Sequence, residues 1–277
     1  MTSARPGPFT VVSFHAHPDD EALLTAGTLA RLAAEGHRVV LVTATAGEAG
    51  LTGHGWSGAG LGARRLRELE ESARAIGAAR VECLDYRDSG WGAPGPVDPG
   101  SFSELATEPV AQRLAALLRE EDADVLTTYD AAGGYGHPDH VQVHRVGARA
   151  AEIAGTPLLL EATLDRTHLV GAVGLLRRLS RLLPVPELPD VRAAYTPRSE
   201  LTHRVDVRAH LAAKEAALGA HVSQAAGARV GDTRTLALLL RLPRPVGRLV
   251  LGHEWFREVG RRPGTPLLDD VLATLRG

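Results

Sequence analysis

The chain holds a single cysteine, Cys83, among 277 residues. No disulfide can form within it, and its stability has to come from packing. So little cysteine fits a reducing compartment, which makes the cytoplasm the expected location. Long hydrophobic runs are lacking too: none reaches the roughly 18 residues a membrane helix needs. The N-terminal "MTSARPGPFTVVSFHA" has too brief an apolar stretch for a signal peptide, so no membrane association is expected. Neither sign of charge dominates. With 31 basic and 33 acidic residues the formal charge is -2, and arginines cluster only as pairs such as Arg64-Arg65 and Arg177-Arg178. That balance argues against a nucleic-acid partner. Internal repeats and low-complexity tracts are absent from the sequence.

What is present is an alternation of strand and helix signals. "FTVVSFHA" (9 to 16) is continuously apolar, as befits a strand buried on both faces. A helix is expected from Ala22 to Glu35, stopped by Gly36, then "RVVLVTATAG" as a second strand and a loop with seven glycines between Gly47 and Gly62. The pattern continues with a helix over 61 to 76, the strand "RVECLDY", a helix over 103 to 120 and the strand "ADVLTTYD". This rhythm predicts an α/β fold with a doubly wound, mostly parallel, Rossmann-like sheet in one domain over 1 to 277. Its α/β core would span 1 to 160.

The second half is less regular. "TPLLLEATL" reads as a fifth strand, and 165 to 202, broken by Pro184, Pro186 and Pro189, reads as a lid or specificity insertion, or equally as a surface helix and loop. Residues 208 to 224 are expected to be helical, and "VGRLVLGHEWFREVG" to form a strand closing one edge of the sheet.

Two stretches concentrate ligand chemistry. In "HAHPDDE" (15 to 21), His17 and Asp20 lie three apart across the stiff Pro18 at a strand end, although Asp19 or Asp20 could instead simply cap the helix that follows. "YDAAGGYGHPDHVQVH" (129 to 144) repeats the pattern, with His137 and His140 three apart. If the first and fourth strands are neighbours, both motifs sit at their carboxyl ends, where open α/β sheets build their sites. Two histidines and a carboxylate around one ion, with a position left for water, is what a catalytic zinc needs.

The sequence resembles the zinc-dependent de-N-acetylases of the LmbE-like, or PIG-L, superfamily, and within it the actinobacterial branch of mycothiol-type deacetylases and conjugate amidases. The resemblance rests on "AHPDDE", "GEAG" (47 to 50), Arg65 and Glu68 before "SARAIG", "YRDSG" (86 to 90), "GGYGHPDH" (133 to 140) and "KEAALGAHVSQ" (214 to 224). It departs from that branch at Ala131 and Ala132, beside Tyr135. The resemblance implies His17, Asp20 and His140 as metal ligands and one zinc per chain, with iron(II) or another divalent ion as substitute. It implies Asp19 as general base, His137 as oxyanion stabiliser or general acid with Asp139 orienting it, and Tyr135 on the tetrahedral intermediate. Arg65 and Asp88 would hold substrate hydroxyls. The implied reaction is removal of an acyl group, most simply acetyl, from the amine of a small amino sugar or sugar conjugate. Alternatives are a mycothiol-conjugate amidase, a catalytically silent sugar-binding relative, or a two-metal phosphoesterase using the paired aspartates, for which no second ligand set is found. Whether the chain forms a homo-oligomer stays open.

The chemistry supports that division of roles. An amide hydrolyses slowly because water is a poor nucleophile and the carbonyl a poor electrophile, and a zinc ion improves both, bringing the pKa of bound water to about 7. An uncoordinated Asp19 could accept the water proton, and a cationic His137 could stabilise the developing oxyanion. His15 should face the other side of its strand. His144 has a helix position equally suited to supporting the ligands and to solvent. Trp56, Trp91 and Trp255 could stack on a sugar or pack. His221, Ser223 and Gln224 have no assignable role.

Overall fold

Apolar runs that are buried from both sides must be covered by helices on both faces, and that requirement shapes the first half of the molecule. The computed structural model describes residues 7–50, 58–91, 97–179, 191–225, 239–264 and 266–277. Strands β1 (Thr10–His15), β2 (Arg38–Thr45), β3 (Arg80–Tyr86), β4 (Val125–Tyr129), β5 (Leu158–Thr163), β6 (His203–Asp206) and β7 (His253–Glu258) form one seven-stranded sheet in the order β3-β2-β1-β4-β5-β7-β6. Strands β1 to β5 are mutually parallel, whereas β7 runs antiparallel to both β5 and β6. The expected mostly parallel, doubly wound sheet is what the chain builds.

Helices α1 (Asp20–Leu24), α2 (Ala26–Ala34) and α3 (Gly58–Ile76) follow β1 and β2; α4 (Thr107–Glu120) follows β3. A one-turn α5 (Gly133–Gly136) and the long α6 (Pro138–Ala154) follow β4, and α7 (Arg166–Leu179), α8 (Leu211–Ala220), α9 (Val222–Ala225), α10 (Arg244–Leu251) and α11 (Ala273–Arg276) come later in the chain. Alternate residues of β1 and β2 point into different cores. Val11, Val39 and Leu41 pack with Leu29, Leu69 and Leu218 of α2, α3 and α8. Val12, Phe14, Val40 and Val42 pack with Leu114 and Val143 of α4 and α6. Helix α6 lies so close to the sheet that a Cβ on Gly147 would stand 2.2 Å from Thr128 Cγ2.

Three expectations are corrected. The single helix expected over 22 to 35 is two, because Thr25 leaves helical geometry and its hydroxyl bonds back to the Glu21 carbonyl, 3.1 Å away. Chain restart is then capped from afar: the Glu254 carboxylate accepts the Gly27 and Thr28 amides at 2.9 and 2.7 Å. The helix expected over 208 to 224 also divides, at His221. Finally, "VGRLVL" is helix rather than strand, and the following β7 is inserted between β5 and β6, leaving β6 at the sheet edge. Within the expected insertion, 166 to 179 is helical; the proline-broken 184 to 189, like Trp56, lies outside the described residues.

Candidate active site

The sheet changes winding direction at β1, which has β2 on one side and β4 on the other, Val11 to Ser13 pairing with Val125 to Thr127. Both histidine motifs leave the carboxyl ends of these two neighbours, at the switch point. The first passes through Pro18 into α1. In the second, Pro138 takes the first helical position of α6 and His137 caps it.

His17, Asp20 and His140 converge, with one donor atom of each lying within 4.8 Å of the others, and all three are buried. His17 Nδ1 is 3.3 Å from Asp20 Oδ2, and His140 Nε2 is 3.4 Å from Asp20 Oδ1. Asp20 is itself positioned by the His17 amide, which donates to Oδ2 at 2.9 Å. His140 stacks on the Tyr129 ring, 4.1 Å between centroids, and its Nε2 is buried without a hydrogen-bond partner. Burial alone would depress the His17 imidazole, but hydrogen bonds with Asp139, Asp20 and Asp88 outweigh it and hold its pKa well above the usual value. Burial would raise the Asp20 carboxyl; His140 and His17 instead hold it well below the usual range. The pocket thus favours positive charge, and an orphaned imidazole nitrogen beside a deprotonated carboxylate fits a divalent cation with nitrogen and oxygen ligands.

A second trio, His17, His137 and Asp139, is equally compact. Several of its donor atoms already have partners, although Asp139 Oδ1 is buried without one. Asp139 Oδ2 accepts His17 Nε2 at 3.1 Å and the amide and hydroxyl of Ser89 at 3.1 and 2.7 Å. His137 Nδ1 accepts the Asp139 amide at 3.2 Å. The trio frames the first set rather than competing with it.

These contacts revise the sequence expectations for the frame. The Asp139 carboxylate orients His17, leaving Nδ1 as the nitrogen facing Asp20. Its distance to His137 Nδ1 is 3.9 Å, and what fixes His137 is the Asp139 backbone amide. Because Nδ1 accepts, the neutral ring carries its proton on Nε2. Burial, with His17 and His140 close by, pulls the His137 pKa down to about 3. That shift disfavours the cationic imidazole expected from sequence.

Asp19 lies outside the converging set. Its backbone sits at φ 118, where a non-glycine residue is strained by roughly 1–3 kcal/mol. Two groups hold it: Arg65 Nη2 donates to Oδ1 at 3.0 Å, and Glu21 Oε2 accepts its amide at 3.0 Å. Burial raises the Asp19 pKa, opposed by Arg65 and assisted by Asp20.

Arg65 and Asp88, expected on substrate, are both buried beside the converging set, with Asp88 Oδ1 3.6 Å from His17 Nε2. Arg65 donates to the Pro18 and Gly47 carbonyls at 2.6 and 2.9 Å as well as to Asp19. Gly47 has φ +66, and a Cβ there would fall 2.3 Å from Arg65 Nη1, so the glycine is required twice. Asp88 accepts the Gly90 and Ala49 amides at 2.9 and 3.3 Å, and its own amide donates to Glu48 Oε1 at 2.9 Å. "GEAG" and "YRDSG" therefore brace each other.

Tyr135 is half exposed at the mouth, its ring 5.3 Å from His140 and 6.0 Å from His137 between centroids, and burial with Asp20 raises its phenol pKa. Trp91, also half exposed, lies 5.8 Å from Tyr135 and 5.1 Å from His137. His15 is packed, bonded to Ser13 and Thr25. His144 touches the Tyr129 carbonyl and Glu161, outside the converging set. Sequence reasoning missed Ser89 as a partner of Asp139, and Glu21 as the acceptor of the Asp19 amide. Ser89 stands inside a quoted motif, but nothing local reveals its contact 50 residues on.

Comparison with known proteins gives consistent results. The family model described as PIG-L, GlcNAc-PI de-N-acetylase, matches residues 12–151, which include every residue of the converging set. A protein of Thermomonospora curvata, a "1D-myo-inositol 2-acetamido-2-deoxy-alpha-D-glucopyranoside deacetylase", is 36% identical over 269 residues, covering 89% of either chain. N,N'-diacetylchitobiose deacetylase of Pyrococcus horikoshii shares the fold, with TM-score 0.61 and 22% identity over 94% of this chain and 88% of its own. So does the 4-carboxy-2-hydroxymuconate hydratase GalB of Pseudomonas putida, at TM-score 0.59 and 18% identity over 94% of this chain and 100% of its own. A fold shared with a hydratase does not by itself fix a reaction. The sequence matches do narrow it, to an amidohydrolase of the N-deacetylase class. The chain belongs to the PIG-L family of de-N-acetylases.

Proposed function

We propose that the chain is a zinc-dependent deacetylase acting on an N-acetylglucosaminide linked to a polyol such as inositol, with acetate and the free amino sugar as products. The observation that carries this reading is the buried convergence of His17, Asp20 and His140 with Asp19 beside them and outside the set. The substrate class follows the relatives that align over nearly the whole chain.

His17 through Nδ1, Asp20 and His140 through Nε2 would hold the ion. When bound, zinc supplies Lewis-acid activation of an amide carbonyl and of water. The remaining roles fall to the chain. Asp19 accepts the proton of the attacking water and passes it to the departing amine, a role favoured by the burial that raises its pKa. Neutral His137 donates its Nε2 proton in a hydrogen bond to the carbonyl oxygen as charge develops there; loss of such a donor typically costs roughly 100- to 1,000-fold in rate. Tyr135 stays protonated, a second donor at the mouth. Trp91 and Tyr135 offer an aromatic wall for the sugar ring.

The segment after the undescribed prolines borders this mouth: the Tyr195 amide donates to the Gly134 carbonyl at 2.7 Å, one residue before Tyr135. That contact supports a specificity role for 165 to 202 within a single domain. The test is a panel of N-acetylated glucosaminides, including the inositol glycoside, with released amine measured on zinc-loaded protein. Turnover of the inositol glycoside above simple N-acetylglucosamine supports the reading, and turnover of neither overturns it.

A further inference from the structure

His221 is fully buried at the end of α8, and nothing in the mechanism above uses it. Its Nε2 lies 2.7 Å from Glu21 Oε1, which also accepts the Ser72 hydroxyl at 2.5 Å. The other oxygen of the same carboxylate, Oε2, accepts the amide of Asp19. A hydrogen-bonded chain therefore runs from the C-terminal half of the protein, through one carboxylate, to the backbone of the residue read as the base. That backbone is also the one held at φ 118 on this loop.

We propose that His221 and Glu21 are positioning residues for Asp19: they fix its peptide so that, with Arg65 on its side chain, the carboxylate stays beside the cation site without joining it. This rests on the reading of Asp19 as base. Two observations favour it over plain packing. Burying an imidazole and a carboxylate together stabilises no better than apolar side chains of similar size would, so such a pair is more readily understood as fixing a geometry. In addition, Glu21 divides its two oxygens between its supports and Asp19, where a purely structural carboxylate would need only the supports. Arg65 and Ser72 come from α3, Glu21 from α1 and His221 from the end of α8, so three elements meet on one strained residue.

A cycle of variants on zinc-loaded protein tests this, with the N-acetylglucosaminyl inositol as substrate, released amine as readout, and bound zinc measured for each variant. His221→Phe keeps the volume and removes the hydrogen bond, while His221→Gln keeps a donor. The expected result is a kcat at least tenfold lower in His221→Phe with KM and zinc content unchanged, and substantial recovery in His221→Gln. In an Asp19→Asn background, His221→Phe should cost less than twofold further. If His221→Phe does not fold, Ser72→Ala, which removes the other donor to the same oxygen, carries the same cycle with a smaller effect of the same pattern. An equal fold-loss in both backgrounds, or loss of zinc, overturns the inference while leaving the base intact. Wild-type turnover in Asp19→Asn alone overturns the reading of the base, and the inference with it.

Discussion

The Oδ2 atom of Asp139 lies 3.1 Å from Nε2 of His17, on the opposite side of the ring from Asp20. This contact selects the ring nitrogen that faces the cation site. Asp139→Asn keeps the shape but loses the charged acceptor, so affinity for zinc should fall by roughly 10- to 100-fold, as is usual for partners of ligating histidines. Competition with a chromophoric chelator measures it. Ser89→Ala, which removes one of the hydrogen bonds to the same oxygen, should give a smaller loss. Unchanged affinity in Asp139→Asn would mean that His17 is oriented by something else.

Gly47 and Arg65 form a second such pair. Any side chain at 47 meets the guanidinium and must also adopt a left-handed backbone. Gly47→Ala should therefore cost about 1–3 kcal/mol of stability. By displacing Arg65 from Asp19 it should also lower kcat more than it changes KM. Thermal unfolding and steady-state kinetics read the two effects, and a variant with wild-type kcat would separate Arg65 from the base.

Stability should depend on pH through His203, far from the site. This fully buried ring bonds Thr202 Oγ1 at 2.8 Å, with Glu258 3.8 Å from its Nε2; Arg261 and Asp270 are its other charged neighbours. Burial first, then Arg261, lowers its pKa from 6.5 to about 4. Between those values the unfolded chain binds a proton that the folded chain does not, so lower pH favours unfolding. The loss starts as pH falls below about 6.5, is complete near 4, and is on the order of 3 kcal/mol at its limit. Above pH 7 the group contributes nothing to the slope. His203→Gln should flatten the melting-temperature curve between pH 6.5 and 4.5 relative to wild type; parallel curves would exclude the histidine as the source.

What could be read from the sequence was what is local. His17 and Asp20, or His137 and His140, are three residues apart, and a strand end followed by proline leaves few directions for them to point. Strands β1 and β2 were legible because two-sided burial makes their apolar runs continuous, whereas the edge strand β3 is only partly buried. The C-terminal elements were not. "VGRLVL" is apolar enough for a strand, but Pro245 at the start of the run and the amphipathic spacing make it a helix, and the place of β7 between β5 and β6 depends on pairing that only the folded sheet decides. The break at Thr25 depends on Glu254, 227 residues from Gly27. The supports of the site were hidden for the same reason: Arg65 and Asp88 were expected on substrate, yet both are buried against backbone groups that other motifs supply.

The most direct measurement pairs metal content with turnover in Asp19→Asn. The expected result is one zinc per chain, as in wild type, with amine release lowered about 100- to 10,000-fold. Loss of the ion along with activity would make Asp19 a ligand, and retained activity would leave the proposed proton acceptor without a role.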